Sequence, residues 1–118
     1  MRWESKTGIG TGAVVYLSYK SKAPSYAPEY LSMVSVRELD GANITRPGYD
    51  YCTLIMTDGA GNELRLATGN LINGLFAFSP EQPIALYQPY EVYAKLISPT
   101  TSNPYEAKFL LLTRGELT

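Results

Sequence analysis

Tyr51 and Arg65 are the two side chains whose types and positions best suit the holding of a ligand. A phenol ring can stack on a flat partner while staying partly exposed, and a guanidinium supplies a fixed positive charge. Both sit in one local unit. Residues 51–58 (YCTLIMTD) and 62–68 (NELRLAT) are two apolar and β-branched runs joined by Gly59-Ala60-Gly61, the pattern of a β-hairpin. A three-residue loop commonly ends on a left-handed residue, a conformation Gly61 adopts without a Cβ clash. Asp58 then faces Asn62, which puts Leu54, Met56, Leu64 and Leu66 on the buried face. Tyr51, Thr53, Ile55, Glu63 and Arg65 are left on the outer one.

Catalysis finds little to work with. The chain holds no histidine, so the commonest general base and every Ser-His or Cys-His pairing are missing. Its single cysteine, Cys52, has inward parity on the hairpin and reads as a small buried hydrophobe. Zinc binding is excluded by the same shortage, and no cofactor is expected. Glu63 and Glu91 read as solvated strand residues and not as a carboxylate pair, so the chain is expected not to be an enzyme.

Length and composition fit one domain with a real core: 118 residues, of which 45% are hydrophobic. No apolar run reaches the roughly 20 residues of a membrane helix, and a cytoplasmic, intracellular protein without a membrane partner is expected. The net charge of -1 hides a gradient, because residues 1–28 carry Arg2, Lys6, Lys20 and Lys22 against Glu4. Tyrosine provides 10 of the aromatic residues, against 3 Phe and 1 Trp. These rings suit partial exposure and stacking as well as ordinary strand packing.

The elements that position these groups follow in order. Residues 1–12, with glycine at positions 8, 10 and 12, read as a flexible arm, and residues 13–29 as an accessory strand (13–19) and a Pro-rich loop bearing Lys20, Lys22 and Tyr26. Residues 30–39 form a strand whose Met33, Val34 and Val36 break simple alternation, as expected of a strand partly covered on both faces or interrupted by a bulge. Residues 40–48 are a loop leading to the hairpin. The apolar spacing at 71, 72, 75, 76 and 78 predicts one or two helical turns over residues 69–78. Residues 90–97 alternate, with Val92, Ala94 and Leu96 inward and Glu91, Tyr93 and Lys95 outward. Residues 98–104 are a loop, and residues 105–113 a last strand with Ala107, Phe109 and Leu111 inward. The sum is an all-β fold: a small antiparallel barrel of five to six strands over residues 30–113, with one short helix between its third and fourth strands.

From residue 30 to 113 this order resembles the oligonucleotide/oligosaccharide-binding fold. The run Leu54-Ile55-Met56-Thr57-Asp58-Gly59-Ala60-Gly61-Asn62-Glu63-Leu64-Arg65 looks like the strand, Asp, Gly, strand passage of replication protein A type domains. The stretch 51–114 is similar in layout to the small single-stranded DNA-binding proteins of filamentous phages. The resemblance implies a viral or phage protein of DNA replication whose partner is single-stranded nucleic acid, crossing the hairpin between the loops 40–49 and 98–104. It makes Tyr49 and Tyr51 stacking platforms and lets Arg46, Arg65, Arg37 and Lys95 meet phosphates, with Tyr93 beside them and Lys20, Lys22 and Tyr26 as a further patch. The rival expectation is a structural or protein-interaction subunit, in which exposed tyrosines make protein contacts. A homodimer or higher homo-oligomer through the added strand fits either reading.

Overall fold

The structure is a computed structural model that describes residues 1–11, 14–39, 51–72, 74–97 and 101–117. Nine strands occur among them: β1 (Arg2–Thr11), β2 (Val14–Lys20), β3 (Glu29–Glu38), β4 (Tyr51–Thr57), β5 (Glu63–Asn70), β6 (Leu75–Phe78), β7 (Ile84–Leu86), β8 (Glu91–Ile97) and β9 (Thr101–Leu112). The first sheet runs β1-β9-β3-β6, with β7 also pairing β3, and the second runs β2-β8-β4-β5. Every pairing is antiparallel. The two inner faces close on one core, giving a small sandwich of barrel-like compactness. Among the described residues no helix is long and apolar enough to cross a membrane.

Strict alternation builds that core. In the second sheet Val15, Leu17 and Tyr19 of β2, Val92, Ala94 and Leu96 of β8, and Cys52 and Leu54 of β4 point inward and are buried. They meet Leu31, Val34 and Val36 of β3 and Tyr105, Ala107, Phe109 and Leu111 of β9. Burial pushes the Cys52 thiol up to about 12, so this sulfur stays protonated and inert.

The central hairpin has the expected turn. The Asp58 N–H donates to the Asn62 carbonyl at 3.3 Å, and both Gly59 and Gly61 take positive φ. Asp58 holds the loop with its carboxylate, which accepts from the Ala60 N–H at 2.8 Å and the Asn62 side-chain amide at 2.8 Å. Thr57 pairs Glu63, Met56 pairs Leu64 and Ile55 pairs Arg65. A bulge then inserts Leu66, so Leu54 pairs Ala67. Leu64 has the inward parity expected of it but is 61% exposed, at the turn end of the edge strand β5. The irregularity expected in residues 30–39 is also present, as a register shift between Leu31 and Met33 against β9.

Three expectations need correction. The helix over residues 69–78 is not formed: Leu71 is buried, Ile72 bridges Leu75 through paired backbone hydrogen bonds of 2.9 and 3.1 Å, and β6 follows. Gly74, at φ 75°, makes that tight reversal, and the apolar spacing then serves a turn plus a strand in place of one helical face. The arm expected over residues 1–12 is a strand as far as residue 11, since β1 pairs β9 from Arg2↔Leu111 to Thr11↔Thr101; residue 12 lies outside the described residues. Of the accessory strand expected over residues 13–19, the described residues 14–19 are not accessory, since β2 pairs β8 throughout and carries three core side chains. Gly8 lies close to the core: a Cβ there would stand 2.9 Å from Leu17 Cδ2 and 3.2 Å from Val15 Cγ1, so a larger residue would require those side chains to shift. Residues 30–39 pair with β9, β6 and β7, while the hairpin pairs with β8, so these two elements lie in opposite sheets.

Candidate binding face

The register of the second sheet arranges its outward residues in four rows across β2, β8, β4 and β5: Val14, Ile97, Tyr51, Asn70; Tyr16, Lys95, Thr53, Thr68; Ser18, Tyr93, Ile55, Arg65; and Lys20, Glu91, Thr57, Glu63. Three tyrosines therefore share one solvent-facing surface. Tyr16 and Tyr93 touch, with ring centroids 5.7 Å apart and planes inclined at 59°. The Tyr93 hydroxyl donates to Glu63 at 2.6 Å, two strands away, so its ring reaches over β4. Tyr51 leans the same way, accepting a hydrogen bond from the Thr68 hydroxyl at 2.8 Å, and Thr68 lies 3.1 Å from the Thr53 hydroxyl. Lys20, Lys95 and Arg65 stand on this face without an ion pair among the described residues.

Five of the residues expected to form a site are thus brought together: Tyr51, Arg65, Lys95, Tyr93 and Lys20. Arg37 is not among them. It lies on β3 in the opposite sheet, where its Nε donates to Glu106 at 3.0 Å across β9. Lys22 and Tyr26 sit in the loop between β2 and β3, Lys22 next to Lys20 and Tyr26 almost fully exposed. Tyr49 and Arg46, with the loop 40–49, lie outside the described residues, as do residues 98–100 of the other flanking loop; residues 101–104 belong to β9.

Two features escaped the sequence reading. Tyr16 was legible in parity, outward between inward Val15 and Leu17, but only the β2–β8 pairing sets it against Tyr93. The second is a buried carboxylate. Glu29 accepts from the Tyr19 hydroxyl, the Ser21 hydroxyl at 2.7 Å and Arg2 at 2.7 Å. Burial alone would raise its pKa; the hydrogen bonds from Tyr19, Ser21 and Arg2 outweigh it and leave the value below the ordinary carboxylate range. Glu29 also helps burial to push the Tyr19 phenol well up.

No family model matches the chain, and no curated protein matches it. Solved structures do. A crystal structure of PirA is similar at 12% identity and a TM-score of 0.51, covering 89% of this chain and 91% of that one. The carbohydrate-binding module TmCBM61, solved in complex with β-1,4-galactotriose, is similar at 12% identity and a TM-score of 0.50, covering 92% of this chain and 69% of that one. At such identities the likeness establishes the shared all-β architecture.

Proposed function

We propose that this protein is a non-catalytic binding module that holds an extended single-stranded nucleic acid across the outer face of the β2-β8-β4-β5 sheet. One observation carries the reading: Tyr16, Tyr93 and Tyr51 share that face with Lys20, Lys95 and Arg65, three cations that make no ion pair among the described residues, against the two carboxylates Glu91 and Glu63 in the row at its edge. Bases stack on phenol rings without regard to sequence, and free cations meet the phosphates between them. Tyr93, Lys95 and Tyr51 stand on β8 and β4, which are paired on both sides, while Arg65 stands on the hairpin strand β5 and Tyr16 and Lys20 on the edge strand β2.

A second reading has its own support. Glu63 lies on the face and would repel phosphate, while a ring beside a carboxylate and two threonine hydroxyls suits a neutral sugar chain. The fold shared with TmCBM61, whose complex holds β-1,4-galactotriose, points the same way.

Titration with labelled single-stranded DNA, single-stranded RNA, duplex DNA and galactotriose at two salt concentrations separates the two. The first reading expects single strands to bind with a modest salt slope, about −2 for three phosphate contacts, and expects Tyr51→Ala to weaken binding by about 1 to 3 kcal/mol. Arg65→Ala should reduce the slope by about 0.7 and leave stacking intact. Saturable galactotriose binding without single-strand binding at low salt transfers the face to the sugar reading. A wild type that binds neither ligand leaves the tyrosines as a protein-contact surface.

A further inference from the structure

Beside the tyrosine face, where β1 overhangs the β2 edge, the two sheets part in a cleft of about 420 Å³. The inward residues of β1 explain it. Gly8 closes the sheets at one end, whereas Arg2, Glu4 and Lys6, on the same side of the strand, are too long and too polar to enter the core and hold the other end open. Lys20 and Lys22 form the opposite wall.

We infer that this cleft is a binding site for a phosphate-class oxyanion, one that adjoins the tyrosine face and shares Lys20 with it. Its lining carries four cations against two carboxylates, Glu4 and Glu29, an excess of two positive charges that matches a phosphate monoester or pyrophosphate dianion. Both carboxylates are already engaged. Glu29 is saturated from within by Tyr19, Ser21 and Arg2, and Glu4 accepts from Arg2 Nε at 3.2 Å. These contacts fix the guanidinium plane and leave its remaining donors for a ligand. Lys6, Lys20 and Lys22 make no ion pair among the described residues.

The wall bearing Lys22 is also fixed in place. The Ser21 N–H donates to the Tyr90 carbonyl at 3.1 Å, the Gln88 N–H to the Ala23 carbonyl at 2.8 Å, and the Gln88 side chain to the Lys22 carbonyl at 3.3 Å. Inward charge on an edge strand also guards against strand pairing, a role Arg2 and Glu4 meet on their own. Guarding that edge does not require two further lysines from another element across the gap. Their cost in mutual repulsion is relieved by an anion between them.

The test is a titration of the full chain with inorganic pyrophosphate at low ionic strength, followed by amide chemical shifts, with sodium chloride at matched ionic strength as control. Saturable shifts at Lys6, Lys20 and Lys22 are expected, with affinity reduced about ten-fold or more in the Lys20→Ala, Lys22→Ala double variant and unchanged in Tyr51→Ala. Near-UV circular dichroism checks that the double variant is folded; Lys6→Ala serves in its place if it is not. No saturation, equal affinity in the variants, or equal shifts with chloride would overturn the site. Comparing 5′-phosphorylated with 5′-hydroxyl oligonucleotide identifies the source of the group: tighter binding of the phosphorylated strand makes the cleft the seat of a strand end, and pyrophosphate binding with no such difference makes it a site for a free phosphate compound.

Discussion

The Tyr93 hydroxyl on β8 donates to the Glu63 carboxylate on β5 at 2.6 Å, and the ring that makes this bond spans β4. One hydrogen bond thereby sets the position of the aromatic ring at the centre of the candidate face. It also ties an edge strand to the interior of the sheet.

That bond gives the face an alkaline limit. The hydrogen bond to Glu63, aided by burial and by the carboxylate's charge, pushes the Tyr93 phenol from 10.0 up to about 12. A folded-state value above the unfolded one means that the stabilisation is whole below pH 10.0 and is lost as the pH climbs towards about 12. Glu63→Gln should bring the Tyr93 titration down towards 10.0, read by NMR of labelled tyrosine. An unmoved titration would show that Glu63 does not hold the ring.

Glu29 sets an acid limit of the opposite sign. Its folded-state pKa is lowered, so its contribution is present above the unfolded carboxylate value and lost as the pH falls through the folded one. Glu29→Ala strips the partners from the buried Tyr19 and Ser21 hydroxyls, and denaturant melts at pH 7 should show a loss of about 2 to 3 kcal/mol. The loss should shrink as the wild type itself is acidified. A cost that stays constant with pH would mean that the charged form is not what the cluster holds.

Much of this was legible in the sequence, because strand parity is local. The turn at Asp58 to Asn62, the inward Leu54 and Cys52, and the outward Tyr51, Tyr93 and Lys95 all follow from alternation and two glycines. Sheet membership is not local. Arg37 has outward parity like Arg65, yet it lies on the other side of the sandwich because β3 pairs with β9 and not with β4. The helix expected over residues 69–78 failed for a related reason: apolar residues at 71, 72, 75, 76 and 78 fit a helical turn or a reversal followed by a strand, and Gly74 decides between them. The glycines of residues 1–12 suggested freedom, whereas Gly8 serves close approach to Leu17.

The hairpin register predicts unequal costs for two leucines of the same face. Leu54 is fully buried on the central strand β4, so Leu54→Ala should cost about 2 to 5 kcal/mol through lost transfer energy and a cavity. Leu64 is largely exposed at the turn end of β5, and Leu64→Ala should stay within about 0.5 kcal/mol. Equal costs in urea melts would contradict the placement of Leu64 at the exposed end of an edge strand.

Removing residues 1–11 tests the largest departure from the sequence reading. A glycine-rich arm could be deleted without harm, but β1 covers the full length of β9, and β9 carries Tyr105, Ala107, Phe109 and Leu111 of the core. Deletion would leave β9 as a long, unguarded edge, since the inward charges of Arg2, Glu4 and Lys6 leave with β1. It would also remove Arg2 from Glu29 and uncover Leu17 and Val15, against which Gly8 packs. The truncated chain should therefore be destabilised or should associate through the exposed β9, seen as a lowered melting temperature or an increased mass by light scattering. A truncated chain that stays monomeric with unchanged stability would show that β1 is not part of the folded unit, and the cleft between β1 and β2 would fall with it.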